Sequence, residues 1–254
     1  MISPLKDSVN NFKSLEVLKK IIPERSIIGS FLFFCGELEL RLAAENRFII
    51  AHTDKYVIYE FWQSAIQEPT RLAEIVKLLH PIDEEKVFYI FQEEWPKYKD
   101  PGIRSALFFL LNRCSQGGSI SAGAFDNKNF NPIALSRLST FKPPENFHLR
   151  YTGETLLENQ IEKVQGVDYL LIPAGKFSYN LMEHGMHKGL EMYTIYHRQL
   201  CQALKNTSHK WIVLYKNHRE LHRIFKDYDI KMIDSYGKIT DKAAACEELI
   251  IANF

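Results

Sequence analysis

Long apolar runs are missing from this 254-residue sequence. No stretch approaches the length of a membrane span, and the opening MISPLKDSVNNFKSLEVLKK has no apolar core of the kind a secretory leader needs. A soluble, cytoplasmic protein with no membrane contact is expected. Cysteine is scarce as well: Cys35, Cys114, Cys201 and Cys246 are the four. They are far apart and form no CxxC pair, which argues against a disulfide framework or a thiolate metal site; buried, reduced thiols fit better. Nor is there an excess of one charge. Lys and Arg number 32 against 31 Asp and Glu, a formal net charge of +1. Only the distribution of charge can speak for or against a polyanionic partner. Internal repeats and low-complexity segments are absent too.

What is present is the composition of a globular domain, 46% hydrophobic and 25% charged, in a chain long enough to bury a sizeable core. FKSLEVLKK (12 to 20) has helical spacing and is stopped by Pro23. SIIGSFLFF (26 to 34) and RFIIAH (47 to 52) read as strands, with ELELRLAAEN helical between them. That order is the βαβ signature of a parallel sheet. Alternation resumes late in the chain, with strands at DYLLI (168 to 172), KWIVLY (210 to 215), DIKMID (229 to 234) and ELIIANF (248 to 254). Helices are expected at 186 to 206 and 218 to 228. The last two strands have no helix between them and are expected to pair antiparallel.

Between these parts the periodicity changes to consecutive helices, followed by CSQGGSISAGAFDNKNFNP and a short helix near IALSRLSTF. Residues 62 to 150 are therefore read as an inserted helical domain, and 1 to 61 with 151 to 254 as the α/β core. From 96 to 150 the eight cations Lys97, Lys99, Arg104, Arg113, Lys128, Arg137, Lys142 and Arg150 face three anions, Asp100, Asp126 and Glu145. Six phenylalanines are interleaved with them. A basic, aromatic, Gly-rich segment suits a phosphate backbone; a solvated face on a helical subdomain is the plain alternative.

In this order, KSLEVLKKIIP, FFCGELELRLAA, HTDKYVIYEFWQ, RSALFFLLNRCSQGG with AFDNKNFNP, the turn at IPAG and EELIIANF resemble the Dam-like family of adenine-specific DNA methyltransferases. The resemblance covers nearly the whole chain. It implies a Rossmann-like methyltransferase sheet, mostly parallel with its last strand antiparallel, and a helical insertion that reads DNA. It also implies an S-adenosylmethionine site at the first strand-to-helix turn and a catalytic Asp-Pro-Pro-Tyr turn.

Residue by residue, the implied sites are depleted. At the cofactor turn only Gly36 matches; Glu37 and Leu38 stand where small residues belong, adding bulk and a carboxylate. The acidic residue that would hold the ribose aligns with Thr53 without a gap and with Asp54 if one residue is skipped. The catalytic turn reads Ile172-Pro173-Ala174-Gly175. Ile172 has no acceptor for the adenine amine and Gly175 has no ring to stack on a flipped base. Asp168 lies four residues early, about 13 Å away along a strand. Tyr169, Ser178 and Tyr179 are nearby polar substitutes, and Lys142-Pro143-Pro144-Glu145 has the double proline without acceptor or aromatic.

Metal chemistry has little support. His184 and His187 in EHGMH, with His197, lack a strong third ligand. His218 and His222 in HRELH place the acid one position away from a zinc-peptidase pattern. The expected function is thus a non-catalytic relative of the adenine methyltransferases, binding no cofactor in a filled or reshaped pocket, and acting through double-stranded DNA or a protein partner in a larger assembly. DNA contacts fall to Lys97, Lys99, Arg104, Arg113, Lys128, Arg137 and Lys142. An active, divergent S-adenosylmethionine-dependent enzyme, supported by Asn112, Arg113 and Gly117-Gly118, stays open. So does a pure protein-interaction subunit using Trp62, Trp95 and the phenylalanines.

Overall fold

A computed structural model describes residues 2–7, 10–79, 82, 84–154, 156–177 and 189–254. Among them the chain forms α1 (Leu15–Ile21), β1 (Ile27–Ser30), α2 (Glu37–Ala44) and β2 (Phe48–Thr53). Five helices follow: α3 (Tyr56–Gln67), α4 (Pro69–Leu79), α5 (Glu85–Glu94), α6 (Pro101–Arg113) and α7 (Pro132–Ser139). Then come β3 (Phe147–Tyr151), α8 (Leu157–Lys163), β4 (Tyr169–Gly175), α9 (His197–Asn206), β5 (Lys210–Lys216), α10 (Arg219–Ile224), β6 (Asp229–Asp234) and β7 (Cys246–Ala252). No helix among the described residues is long and apolar enough to cross a membrane.

The seven strands make one sheet in the order β3-β2-β1-β4-β5-β7-β6. Strands β1 to β5 pair in parallel, and β7 runs antiparallel between β5 and β6. The mostly parallel, Rossmann-like α/β sheet with an antiparallel last strand is the one expected from the sequence. Strand order reverses between β1 and β4, so the crevice at their carboxyl ends is the switch point where such sheets bind ligands.

Period-two alternation sorts the central strands between two cores. Tyr169 and Leu171 of β4, with Ile212 and Leu214 of β5, join the cluster under α1 to α7. Leu170, Ile172 and Ala174, with Trp211, Val213 and Tyr215, join the cluster under α8, α9 and α10. Side chains from 62 to 150 belong to the first of these: Trp62, Trp95, Phe108 and Phe109 are fully buried in the same cluster as Ile28 and Ile49. The boundary read at 62 falls inside α3 and the one at 150 inside β3.

Several sequence expectations shift. The apolar run at 26 to 34 gives only four residues of strand, because Leu32 adopts φ +55° and turns the chain out of the sheet. The run at 168 to 172 gives a longer strand than expected: β4 continues through Pro173 and Gly175, paired with Leu214 and Tyr215. Edge strand β3 and helix α8 were not visible as elements. The helix expected over 186 to 206 begins, within the described residues, at His197.

Candidate functional site

The N-terminal segment closes one side of the crevice. Asn112 at the end of α6 accepts from Lys6 N at 2.8 Å and donates to the carbonyls of Lys6 and Gly118, each at 2.8 Å. Arg113 donates through Nε to Pro4 O at 2.8 Å, and its Nη2 bonds the same carbonyl. Ser3 Oγ donates to Cys35 O, and Ser3 N to Glu37 Oε2 at 2.7 Å. A strap of residues 3 to 7 is thereby laid across the start of α2 and the end of α6.

Under it is a cavity of about 410 Å³ at the switch point, within the range of small-molecule sites. Gly36 and Pro173 border the same space, as do Ala174, Gly175 and Lys176. Asp7 and Asn11 from the N-terminal segment, Gly117 and Gly118 beyond α6, and Glu191, Tyr193 and His197 complete the wall. Of the filled or reshaped pocket expected from the sequence, the filled form is corrected: Leu32, Gly36 and Pro173 border an open space. Ile172 does not border it; its side chain is fully buried in the core beneath α9 and α10.

Gly36 itself is a structural necessity. It precedes α2 with φ +68°, and a Cβ there would stand 2.9 Å from the Phe33 ring and 3.2 Å from Trp62. Bare backbone at this turn thus accommodates aromatic packing as well as a ligand. Trp62 Nε1 donates to Phe34 O at 2.8 Å, fixing the loop after β1 from below.

Tyr193 crosses the crevice. Its hydroxyl donates to Phe33 O at 2.6 Å and lies 2.6 Å from Thr53 Oγ1. With the tyrosine proton directed at Phe33, Thr53 donates to Tyr193 and in turn accepts from Lys55 N at 3.1 Å. The chain of bonds ties the loop after β1 to the end of β2. Burial holds the Tyr193 hydroxyl well above the ordinary tyrosine range, so it stays a neutral donor. Asp54 lies on the far side of this bridge, in a separate cleft of about 210 Å³ with Leu156, Leu157 and Gln160, and pairs with Lys55 Nζ at 3.1 Å.

Two buried carboxylates border the cavity. Glu39, on the first turn of α2, accepts from Ser30 Oγ at 2.8 Å. Burial raises its pKa above the ordinary value. Glu191 accepts from Ser121 N at 2.9 Å and Ser121 Oγ at 2.6 Å. Neither was singled out from sequence. Glu39 had a signal, since it shares the apolar stripe of α2 with Ala43 at helical spacing, whereas Glu191, Tyr193 and Asn11 had none.

These residues do not fit S-adenosylmethionine in an extended pose from Gly36 to Asp54. Tyr193, bonded to Phe33 O and Thr53 Oγ1, borders both spaces and stands across that path.

The basic residues separate into two groups. Arg113 is buried, its pKa lowered to about 10 by desolvation first and Arg137 second. Arg104 is held bidentate by Glu60, with Nε to Oε1 at 2.6 Å, and also bonds Tyr98 O. Both guanidinium groups, read as DNA contacts, are engaged inside the protein. Lys97 pairs with Glu94 at 2.6 Å on an exposed turn. Lys99, Lys128, Arg137 and Lys142 are exposed. Trp62 and Trp95, read as interface candidates, are core residues.

Other candidates resolve into structure. The Asp168 carboxylate accepts from Ile27 N at 2.8 Å, at the opposite end of the sheet. His218 caps α10 by accepting from Glu220 N at 3.3 Å, and His222 lies 3.4 Å from Asn217 Oδ1. All four cysteines are buried and free. Ser178, Tyr179, His184 and His187 lie outside the described residues. Among the described residues no three His, Cys, Asp or Glu side chains converge to hold a metal ion.

No protein-family model matches the chain, and no curated protein matches it. Among solved structures the chain is similar to a TehB-like SAM-dependent methyltransferase from Corynebacterium glutamicum, 6% identical over 94% of this chain and 85% of that one, with TM-score 0.39. A SAM-dependent methyltransferase from Aquifex aeolicus is 10% identical over 99% and 92%, TM-score 0.35. The precorrin-8w decarboxylase of Methanobacterium thermoautotrophicum is 8% identical over 100% and 99%, TM-score 0.38. Likeness this distant says nothing about activity.

Proposed function

We propose that the chain is a binding protein built on a methyltransferase-type sheet, and that it does not transfer a methyl group to adenine. The observation that carries this reading is Tyr193, hydrogen-bonded to Phe33 O and Thr53 Oγ1, lying between Gly36 and Asp54. A nucleoside cofactor spanning those two positions would have to displace it. The end of β4 supports the same conclusion. Ile172, at the position of the family's acceptor, is buried, and Pro173 to Gly175 continue the strand beside β5.

Double-stranded DNA is the proposed partner, contacted through the exposed Lys99, Lys128, Arg137 and Lys142. If no DNA is retained even at low salt, a protein partner takes its place. A divergent active methyltransferase is the second reading, and the open cavity between Gly36 and Pro173 favours it. Incubation with labelled S-adenosylmethionine and mixed DNA separates the two. No incorporation is expected; sustained incorporation, lost in Pro173→Leu, overturns the non-catalytic reading.

A further inference from the structure

We infer that the cavity beneath the N-terminal strap binds a small organic cation, an aminoalkyl compound with a short apolar body. This rests on the reading of the chain as a binding protein whose crevice is divided by Tyr193.

The first observation is Asn11. Its residue is 2% exposed, it borders the cavity, and neither its amide nitrogen nor its oxygen has a hydrogen-bond partner. Asparagine just before a helical turn ordinarily caps it. Asn11 precedes the turn Phe12–Ser14, yet its side chain makes no capping bond; only its backbone carbonyl accepts, from Ser14 N at 3.2 Å. A buried carboxamide with two donor hydrogens and an acceptor left unpaired has given up its hydration with no hydrogen bond in return. A polar ligand in the adjoining space removes that cost.

The second observation is charge. Asp7, Glu39 and Glu191 border the cavity, and among the described residues Lys176, exposed beyond the end of β4, is its one lysine. Glu39 and Glu191 are both buried. Carboxylates taken from water favour a cationic partner that restores the lost solvation. They do not converge as metal ligands do. Distributed acids around about 410 Å³ suit an organic molecule instead of a bare ion. Leu32, Phe34, Leu38, Ile120 and Met192, also in the wall, give an apolar body somewhere to lie.

Calorimetry on the full chain tests this with putrescine, agmatine and spermidine against neutral 1,4-butanediol and anionic succinate. At least one amine is expected to bind at least about tenfold more tightly than the diol, the size of effect one charge-assisted hydrogen bond confers. Asn11→Ala and Glu39→Gln are each expected to weaken that amine by about tenfold or more. Should Asn11→Ala fail to fold, Glu39→Gln, nearly isosteric, carries the test alone. Amines that fail to bind at millimolar concentration, bind no better than the diol or succinate, or bind Glu39→Gln unchanged overturn the inference. S-adenosylmethionine is titrated in parallel. If its methyl group is transferred to DNA while the amines bind as expected, the non-catalytic reading fails and the cation site stands. If neither S-adenosylmethionine nor any amine binds, only the cation site fails.

Discussion

The Tyr193 hydroxyl stands 2.6 Å from both the Phe33 carbonyl and Thr53 Oγ1. A side chain from the segment before α9 thereby joins the loop leaving β1 to the end of β2, at the place where a nucleotide-binding crevice of this topology would be open. On the near side is the cavity bordered by Gly36 and Pro173; on the far side is Asp54.

Tyr193→Phe keeps the ring and removes the bridge. The Phe33 carbonyl belongs to a fully buried residue, so it loses its tyrosine donor with no ready access to water. A loss of roughly 1–3 kcal/mol is expected, the cost of an unsatisfied buried acceptor. Urea denaturation at neutral pH measures it. An unchanged midpoint would show that the bridge contributes nothing to the fold.

Gly36→Ala separates a structural role from a ligand role. A residue with a Cβ at φ +68° is strained, and the new methyl would stand 2.9 Å from Phe33, itself packed on Trp62 with ring centroids 5.3 Å apart. The two effects together are expected to cost about 2 kcal/mol or more. Thermal melting without any ligand is the measurement. A variant as stable as the parent would mean the glycine is there for a ligand alone.

These two residues also show what the sequence could disclose. Strands β4 and β5 were legible because their apolar runs are bounded by turn residues, and the antiparallel β7 because no helix could intervene between 229 and 254. Gly36 was legible from its place after the first strand. Tyr193 was not, because its partners are 160 and 140 residues away and no local periodicity encodes a tertiary bridge. Strand β3 escaped because only Phe147 of its five residues is buried, as edge strands permit. Arg104 and Arg113 misled for a related reason. A count of cations along the chain does not distinguish a solvated side chain from one that ties α6 to Glu60 or to the strap.

His52 makes stability sensitive to acid. Its ring stacks on Phe31 with centroids 5.0 Å apart, and Nε2 is buried without a partner. Burial, then Arg150, lowers its pKa from 6.5 to about 4. As pH falls through 6.5 the unfolded chain takes up the proton first. Stability present above pH 6.5 is therefore lost down to about pH 4, by up to ~3 kcal/mol. His52→Gln is expected to flatten this part of the pH dependence. Parallel denaturation series at pH 7 and pH 4.5 give the difference, and identical slopes for parent and variant contradict the assignment.

Arg113 and the exposed lysines are expected to respond oppositely to two assays. Arg113→Ala removes both bonds to Pro4 O and loosens the strap. It is expected to lower stability by roughly 1–3 kcal/mol and to expose residues 3 to 7 to proteolysis. The salt dependence of DNA retention should stay unchanged, because the buried guanidinium releases no counterion. Lys99→Ala, Lys128→Ala, Arg137→Ala and Lys142→Ala alter solvated side chains and should each leave stability within about 0.5 kcal/mol. If DNA is the partner, each of the four that contacts a phosphate lowers the slope of log affinity against log salt by about 1. Four unchanged slopes, with retention intact, would place the phosphate contacts elsewhere on the surface; a slope altered by Arg113→Ala alone would return that residue to the DNA interface.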